Sequence, residues 1–337
     1  MKSLLVSILF VSSLSTFGQQ PAAEVVSVTK IWDKAKHNAF TDLTRFKNLL
    51  VCSFREADSS IGSDGQIRVL ISSSGNNWVE QALVAEKGVD LRDAKLSSAS
   101  EDLLVMTLSG ANDNGTKTLQ GRQPRVATST DIKYWSPPVK ALASGDALGR
   151  PSWNDSDKKY YGVASNRHPL TGGPKPEAEW SSKLYSSLDG KVWQLAAELK
   201  VPGQPSEATI RFKPDGTGVI LMRREGGDRR GVIGTAKAPY REWTWTPIPF
   251  PLIGPNFIIL PDGSMVAGTL VVGPRFGLFK MTDTTFEPLI PLPSGGDCAF
   301  PGFVWHDGNL HVTYHSSHEG PTAIYYAKVK LPWLKTP

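Results

Sequence analysis

The chain is patterned as short alternating apolar runs separated by turn residues, and the turns repeat. Asp-Gly pairs sit between alternating runs at Asp215-Gly216, Asp262-Gly263 and Asp307-Gly308, with spacings of 47 and 45 residues. Such pairs mark β-hairpins because the turn needs a positive φ. A second signal, Ser-x-Asp-Gly-x-x-Trp, is complete in Ser187–Trp193, lacks the Gly in Ser129–Trp135 and lacks the Asp in Ser72–Trp78. The three Trp residues fall at 78, 135 and 193, spacings of 57 and 58. Together the two signals divide the chain into six units, roughly 37–84, 90–140, 148–198, 205–248, 253–290 and 297–331, each predicted to hold four strands.

Composition narrows this picture. The 337 residues include 40% hydrophobic and 20% charged side chains, which excludes a disordered chain and gives enough material for a large core. Ten Trp, thirteen Phe, 31 Gly and 25 Pro favour packed aromatics and many turns, as in an all-β fold. The 37 Lys and Arg exceed the 32 Asp and Glu by only five and form no block longer than a pair, so no nucleic-acid partner is expected.

Met1-Lys2 followed by the apolar run Ser3–Phe17 reads as a signal peptide over residues 1–18, too short to span a bilayer. Residues 19–337 are then a single exported domain, secreted or periplasmic, a monomer, with no membrane insertion once the signal is removed. Cys52 and Cys298 are the two cysteines, in neighbouring units, and either a disulfide or two buried thiols fits them. No cofactor is expected, and His315 with His318 and Glu319 is too sparse to predict a metal site.

The Ser-x-Asp-x-x-x-Trp turns resemble the Asp-box of the sialidase superfamily, and six four-stranded units resemble its six-bladed β-propeller. The stretches Phe54-Arg55-Glu56, Val89–Asp93 and Tyr314–Gly320 are similar to those of secreted bacterial sialidase-like proteins over nearly the whole mature chain. The expected fold is therefore an all-β, six-bladed propeller with degenerate Asp-box repeats. In it the hairpin and Asp-box turns share one face, and the starts of the first strands and the ends of the second strands share the other.

That second face is rich in charge, as a polar pocket requires. Arg55, Arg92, Arg150, Arg223, Arg224, Asn256, His315 and His318 are the candidate substrate-binding residues. Glu207, Asp58, Asp93 and Glu56 are the candidate carboxylates for glycoside hydrolysis, which needs such groups to protonate the leaving oxygen and to activate a nucleophile or water. The resemblance implies Glu207 as base and Arg223 as a clamp on a substrate carboxylate; a cross-strand Glu207–Arg223 ion pair is the plainer alternative. It also implies an aromatic nucleophile where this chain has Phe300, which carries no hydroxyl. Arginines of the family's carboxylate clamp are replaced by His37–Asp42 in the first unit and Gly254-Pro255-Asn256 in the fifth. The expected function is hydrolysis of an acidic glycan or polysaccharide, with a non-catalytic sugar-binding propeller as the alternative.

Overall fold

The computed structural model describes residues 22–111, 122–166, 180–271 and 275–334. The expected signal peptide lies outside the described residues. Those described form six antiparallel sheets arranged as the blades of a propeller, with no helix among them. Blade 1 consists of His37–Phe46, Leu49–Ala57, Gln66–Ser72 and Val79–Val84, and blade 2 of Asp90–Ser98, Leu104–Ala111, Gln123–Ser129 and Val139–Lys140. Blade 4 runs from Pro205–Phe212 to Thr244–Pro247 and blade 5 from Ile253–Ile259 to Phe286–Pro291.

Blade 6 departs from the sequence expectation of four strands within 297–331. Only Ala299–His306, Asn309–Ser316 and Ala323–Lys330 come from that unit, and the fourth strand is the N-terminal Glu24–Trp32, antiparallel to Ala323–Lys330. The ring is thus zipped by its two ends, which leaves no open seam between the first and last blades.

Inner strands are buried on both faces, because each blade is sandwiched between two neighbours. Leu104–Ala111 is buried at all eight positions, whereas the outer strand Val79–Val84 has only Val84 buried. Each seam has its own apolar cluster. Blades 1 and 2 meet through Phe46, Val51, Leu91 and Leu96; blades 4 and 5 through Val219, Ile233, Phe257 and Phe279; blades 6 and 1 through Trp32, Cys52, Val304 and Ile324. The seam between blades 2 and 3 is the smallest, built on Val105, Val126 and Tyr160. Cys52 and Cys298 are separate buried thiols, both pushed above their ordinary pKa by burial. Both are expected to resist an aromatic disulfide reagent in the native protein and to react at once in denaturant; rapid native labelling would contradict this packing.

The Trp-bearing turns share a hydrogen-bond pattern. In Ser187–Trp193 the Ser187 hydroxyl accepts the Gly190 N–H at 2.9 Å, Asp189 accepts the N–H groups of Lys191 and Val192 at 2.8 and 2.9 Å, and the Trp193 indole donates to the Gly190 carbonyl at 3.1 Å. Ile132 replaces the glycine in Ser129–Trp135 and holds φ at 69°. A further turn, missed in the sequence because it has neither Ser nor Asp in place, puts Tyr240 at φ 61° with the Trp243 indole on its carbonyl at 2.8 Å. Ser187→Ala strands the Gly190 N–H and is expected to cost about 1 kcal/mol in urea unfolding; no change would mean that Asp189 alone holds the turn.

Near the axis the inner strands are interrupted at one recurring place. Register shifts fall between Ala39 and Asp42, Arg92 and Lys95, Pro205 and Ala208, Ile253 and Asn256, and Ala299 and Gly302. Phe40, Asp93, Gly254 and Phe300 open four of these bulges at φ 62°, 55°, 56° and 54°. In blade 3 the inner strand breaks completely, into Asp146–Leu148 and Ser152–Asn154, around Gly149-Arg150-Pro151. Bulges re-aim side chains, and here they occur where the strands converge.

Candidate functional site

Four of the five bulges and the break in blade 3 line a recess at the end of the channel opposite the Trp-bearing turns. Its walls include Asp93 and Lys95 of blade 2, Arg122, Arg150 of blade 3, Glu207 of blade 4 and Phe300 of blade 6. Glu207 is one quarter exposed and anchored on two sides: Arg223 Nη1 donates to its oxygens at 3.1 and 3.2 Å, and the Gly254 N–H donates to Oε2 at 2.8 Å. A side chain at position 254 would strike the Phe300 ring, its Cβ falling 2.6 Å from Cδ2, and would strain the left-handed backbone, so glycine is required to bring that N–H to the carboxylate. Arg223 also donates to Glu225 at 3.0 Å. Burial pulls the Arg223 pKa down, but the charges of Glu207 and Glu225 outweigh it and raise the net value.

Phe300 forms an aromatic floor. Its ring stacks on His315 at 5.9 Å, meets Phe40 edge-on at 4.9 Å, and lies 5.3 Å from the Lys95 ammonium. His315 is buried, accepts the Phe40 N–H on Nδ1 at 3.3 Å and meets Asp297 through Nε2 at 3.3 Å; His37 holds the other oxygen of Asp297 at 3.1 Å. These two histidine contacts keep the Asp297 carboxyl far below the usual carboxylate range, and burial lowers the pKa of His315.

Arg150 closes the channel beneath the recess. Nε donates to Asp42 at 3.0 Å, Nη1 to Thr209 at 2.9 Å and Nη2 to the Pro301 carbonyl at 3.2 Å, so one side chain from blade 3 joins blades 1, 4 and 6. Asn256 donates to the same carbonyl at 2.9 Å and accepts from Arg211 at 3.3 Å. Arg150 and Asn256, read in the sequence as substrate ligands, thus have their polar groups engaged in an interblade network.

Other candidate residues stand apart from the recess. Glu56 accepts the Trp32 indole at 2.5 Å and Arg68 Nε at 2.8 Å, towards the outer edge of blade 1, and Asp58 is exposed beside Lys36 at 3.7 Å. Arg55 is wholly buried against Asp90 at 2.7 Å and the Ser59 carbonyl at 2.9 Å. Arg92 donates to the Ser60 carbonyl at 2.8 Å and lies over the Phe40 ring. Arg224 ties down Asp228 and the Arg230 carbonyl, while His318 pairs with Ser316 at 2.9 Å and packs on Tyr325. The structure therefore brings together Glu207, Asp93 and Arg150 at the recess, with Arg223 and His315 behind it. Lys95 and Arg122 were missed, since single buried cations, one within a strand and one just before a strand, leave no motif.

No protein-family model and no curated protein matches the chain by sequence. Among solved structures, a protein of unknown function from Dyadobacter fermentans superposes with a TM-score of 0.77 at 17% identity, covering 92% of this chain and 100% of that one. Trypanosoma rangeli sialidase in complex with sialic acid gives 0.70 at 12% identity, over 91% of this chain and 59% of the sialidase. An α-L-arabinofuranosidase from Fusarium graminearum, in complex with an iminosugar inhibitor, gives 0.69 at 13% identity, over 92% and 99%. What these likenesses establish, together with the six sheets described above, is a sialidase-like six-bladed β-propeller fold for this chain.

Proposed function

We propose that the chain is an exported glycoside hydrolase whose substrate, an acidic glycan, enters the axial recess. The observation that carries this reading is a Glu207 carboxylate held at the wall of a polar recess by Arg223 and the Gly254 N–H, with Asp93 on another blade lining the same space. Two carboxylates around one sugar site are the minimum for hydrolysis, one giving a proton to the leaving oxygen and one drawing a proton from water. In this reading Glu207 directs the water and Asp93 serves as the acid. Phe300 supplies an apolar face for the sugar ring and no nucleophile, so attack by water is the route open to these residues. The sialidase and arabinofuranosidase neighbours lend support, being glycan-acting enzymes on the same fold. Export rests on the apolar N-terminal run; among the described residues no helix is long and apolar enough to cross a membrane.

A second reading is favoured by the hydroxyl-free Phe300 and by the number of donors already on Glu207: the recess holds sugar without cutting it. Purified protein incubated with aryl glycosides and natural acidic glycans separates the two. Release of sugar at a catalytic rate is expected; binding with no release over prolonged incubation would favour the sugar-holding reading, and neither would remove both.

A further inference from the structure

Lys95 stands out among the described residues. Its side chain is 5% exposed, lines the recess, and makes no ion pair among the described residues. Its ammonium donates only to the backbone carbonyls of Thr41 at 3.1 Å and Phe40 at 3.5 Å, leaving one of three N–H groups without a protein acceptor. Of the carboxylates that act on it, Asp42 is taken up by Arg150 and Glu207 by Arg223, while Asp93 favours its charge from the same recess without pairing with it. Burying a cation in this way is costly unless something repays it.

We propose that Lys95 is the anchor for the anionic group of the substrate, a sugar carboxylate seated over Phe300 and held by the Lys95 ammonium. This deepens the glycan reading above and rests on it. Two arginines at the axis are already engaged: Arg223 holds Glu207 and Glu225, and Arg150 holds Asp42. Lys95 lines the same recess with backbone carbonyls as its acceptors.

The charge on this amine is poised to vary. Burial pushes the Lys95 pKa down to about 8, the Arg150 charge pushes the same way, and the carboxylates of Asp42, Asp93 and Glu207 oppose them. The remaining titratable neighbours, buried His315 and Cys52, are coupled to Lys95 more weakly. A ligand that needs the ammonium therefore binds well at pH 7 and about tenfold more weakly at pH 9, since a group with a pKa of about 8 is roughly nine-tenths protonated at the first and one-tenth at the second.

The test is calorimetric titration of the whole protein with N-acetylneuraminate and with D-glucuronate, beside neutral D-glucose, at pH 7 and pH 9. Acidic sugars should bind at least tenfold tighter than glucose at pH 7, lose that advantage at pH 9, and take up protons on binding near pH 8. Lys95→Met should abolish the preference, and Lys95→Arg should retain it at both pH values. Equal binding of acidic and neutral sugars by the unaltered protein at pH 7 overturns the proposal without any variant, as does a folded Lys95→Met that keeps the acidic preference. Neutral sugars binding as well as acidic ones, with turnover still dependent on Glu207, would sink the Lys95 assignment alone. No binding of any sugar and no turnover would sink the glycan reading with it.

Discussion

Arg150→Met is expected to lower the unfolding free energy by about 3–5 kcal/mol, the range for removing one partner of a buried ion pair. Asp42 is 1% exposed, and without Arg150 its carboxylate keeps only the backbone N–H groups of Leu43 and Leu96, at 2.9 and 2.8 Å. Thr209 and the Pro301 carbonyl lose a donor in the same step. Urea unfolding measures the loss, and the double variant Arg150→Met/Asp42→Asn should recover part of it, because the stranded charge is then gone. The result also decides what Arg150 does. A loss below 1 kcal/mol together with weakened sugar binding would make it a substrate ligand, as the sequence suggested, rather than the pin that joins four blades.

Glu207→Gln is expected to reduce turnover by 10²–10⁴-fold on whichever substrate the glycan panel identifies, the usual weight of a positioned acid or base. The amide can still accept the Gly254 N–H, so the loop should stay in place, while the charge that draws a proton from water is lost. Sugar affinity should change little. Arg223→Ala acts differently: the carboxylate remains but loses its anchor, so turnover falls with a change in its pH dependence. Full activity in Glu207→Gln would remove Glu207 from the chemistry and turn attention to Asp93. Binding that survives Glu207→Gln, in a protein with no turnover to lose, would identify the propeller as a sugar-holding one.

Both variants probe residues that the sequence exposed unequally. Glu207 and Arg223 stand out because they flank one hairpin on neighbouring strands, and the pairing of Ala208 with Met222 beside them makes their contact a local matter. Arg150 was legible as a charge at the start of a unit, but its partners lie on three other blades, up to 151 residues away. Lys95 was illegible for the opposite reason: its meaning lies in what it lacks, and the absence of a carboxylate partner cannot be read from a linear pattern.

The sequence alone determined the repeat, most of the strands and most of the turns, because these depend on residues a few positions apart. The unit 90–140 matches blade 2 end to end, the unit 205–248 overshoots blade 4 by one residue, and Asp307-Gly308 forms the tight turn its chemistry demands, at φ 47° and 68°. Only the tertiary structure decided how the ring closes, which charges pair, and where the bulges point them. The Glu24–Trp32 strand completes the sixth blade from the far end of the chain, and Phe40, Asp93, Gly254 and Phe300 adopt left-handed backbones at one shared level near the axis. Those features arise where six sheets pack side by side around one channel, a constraint that exists only once all six are present.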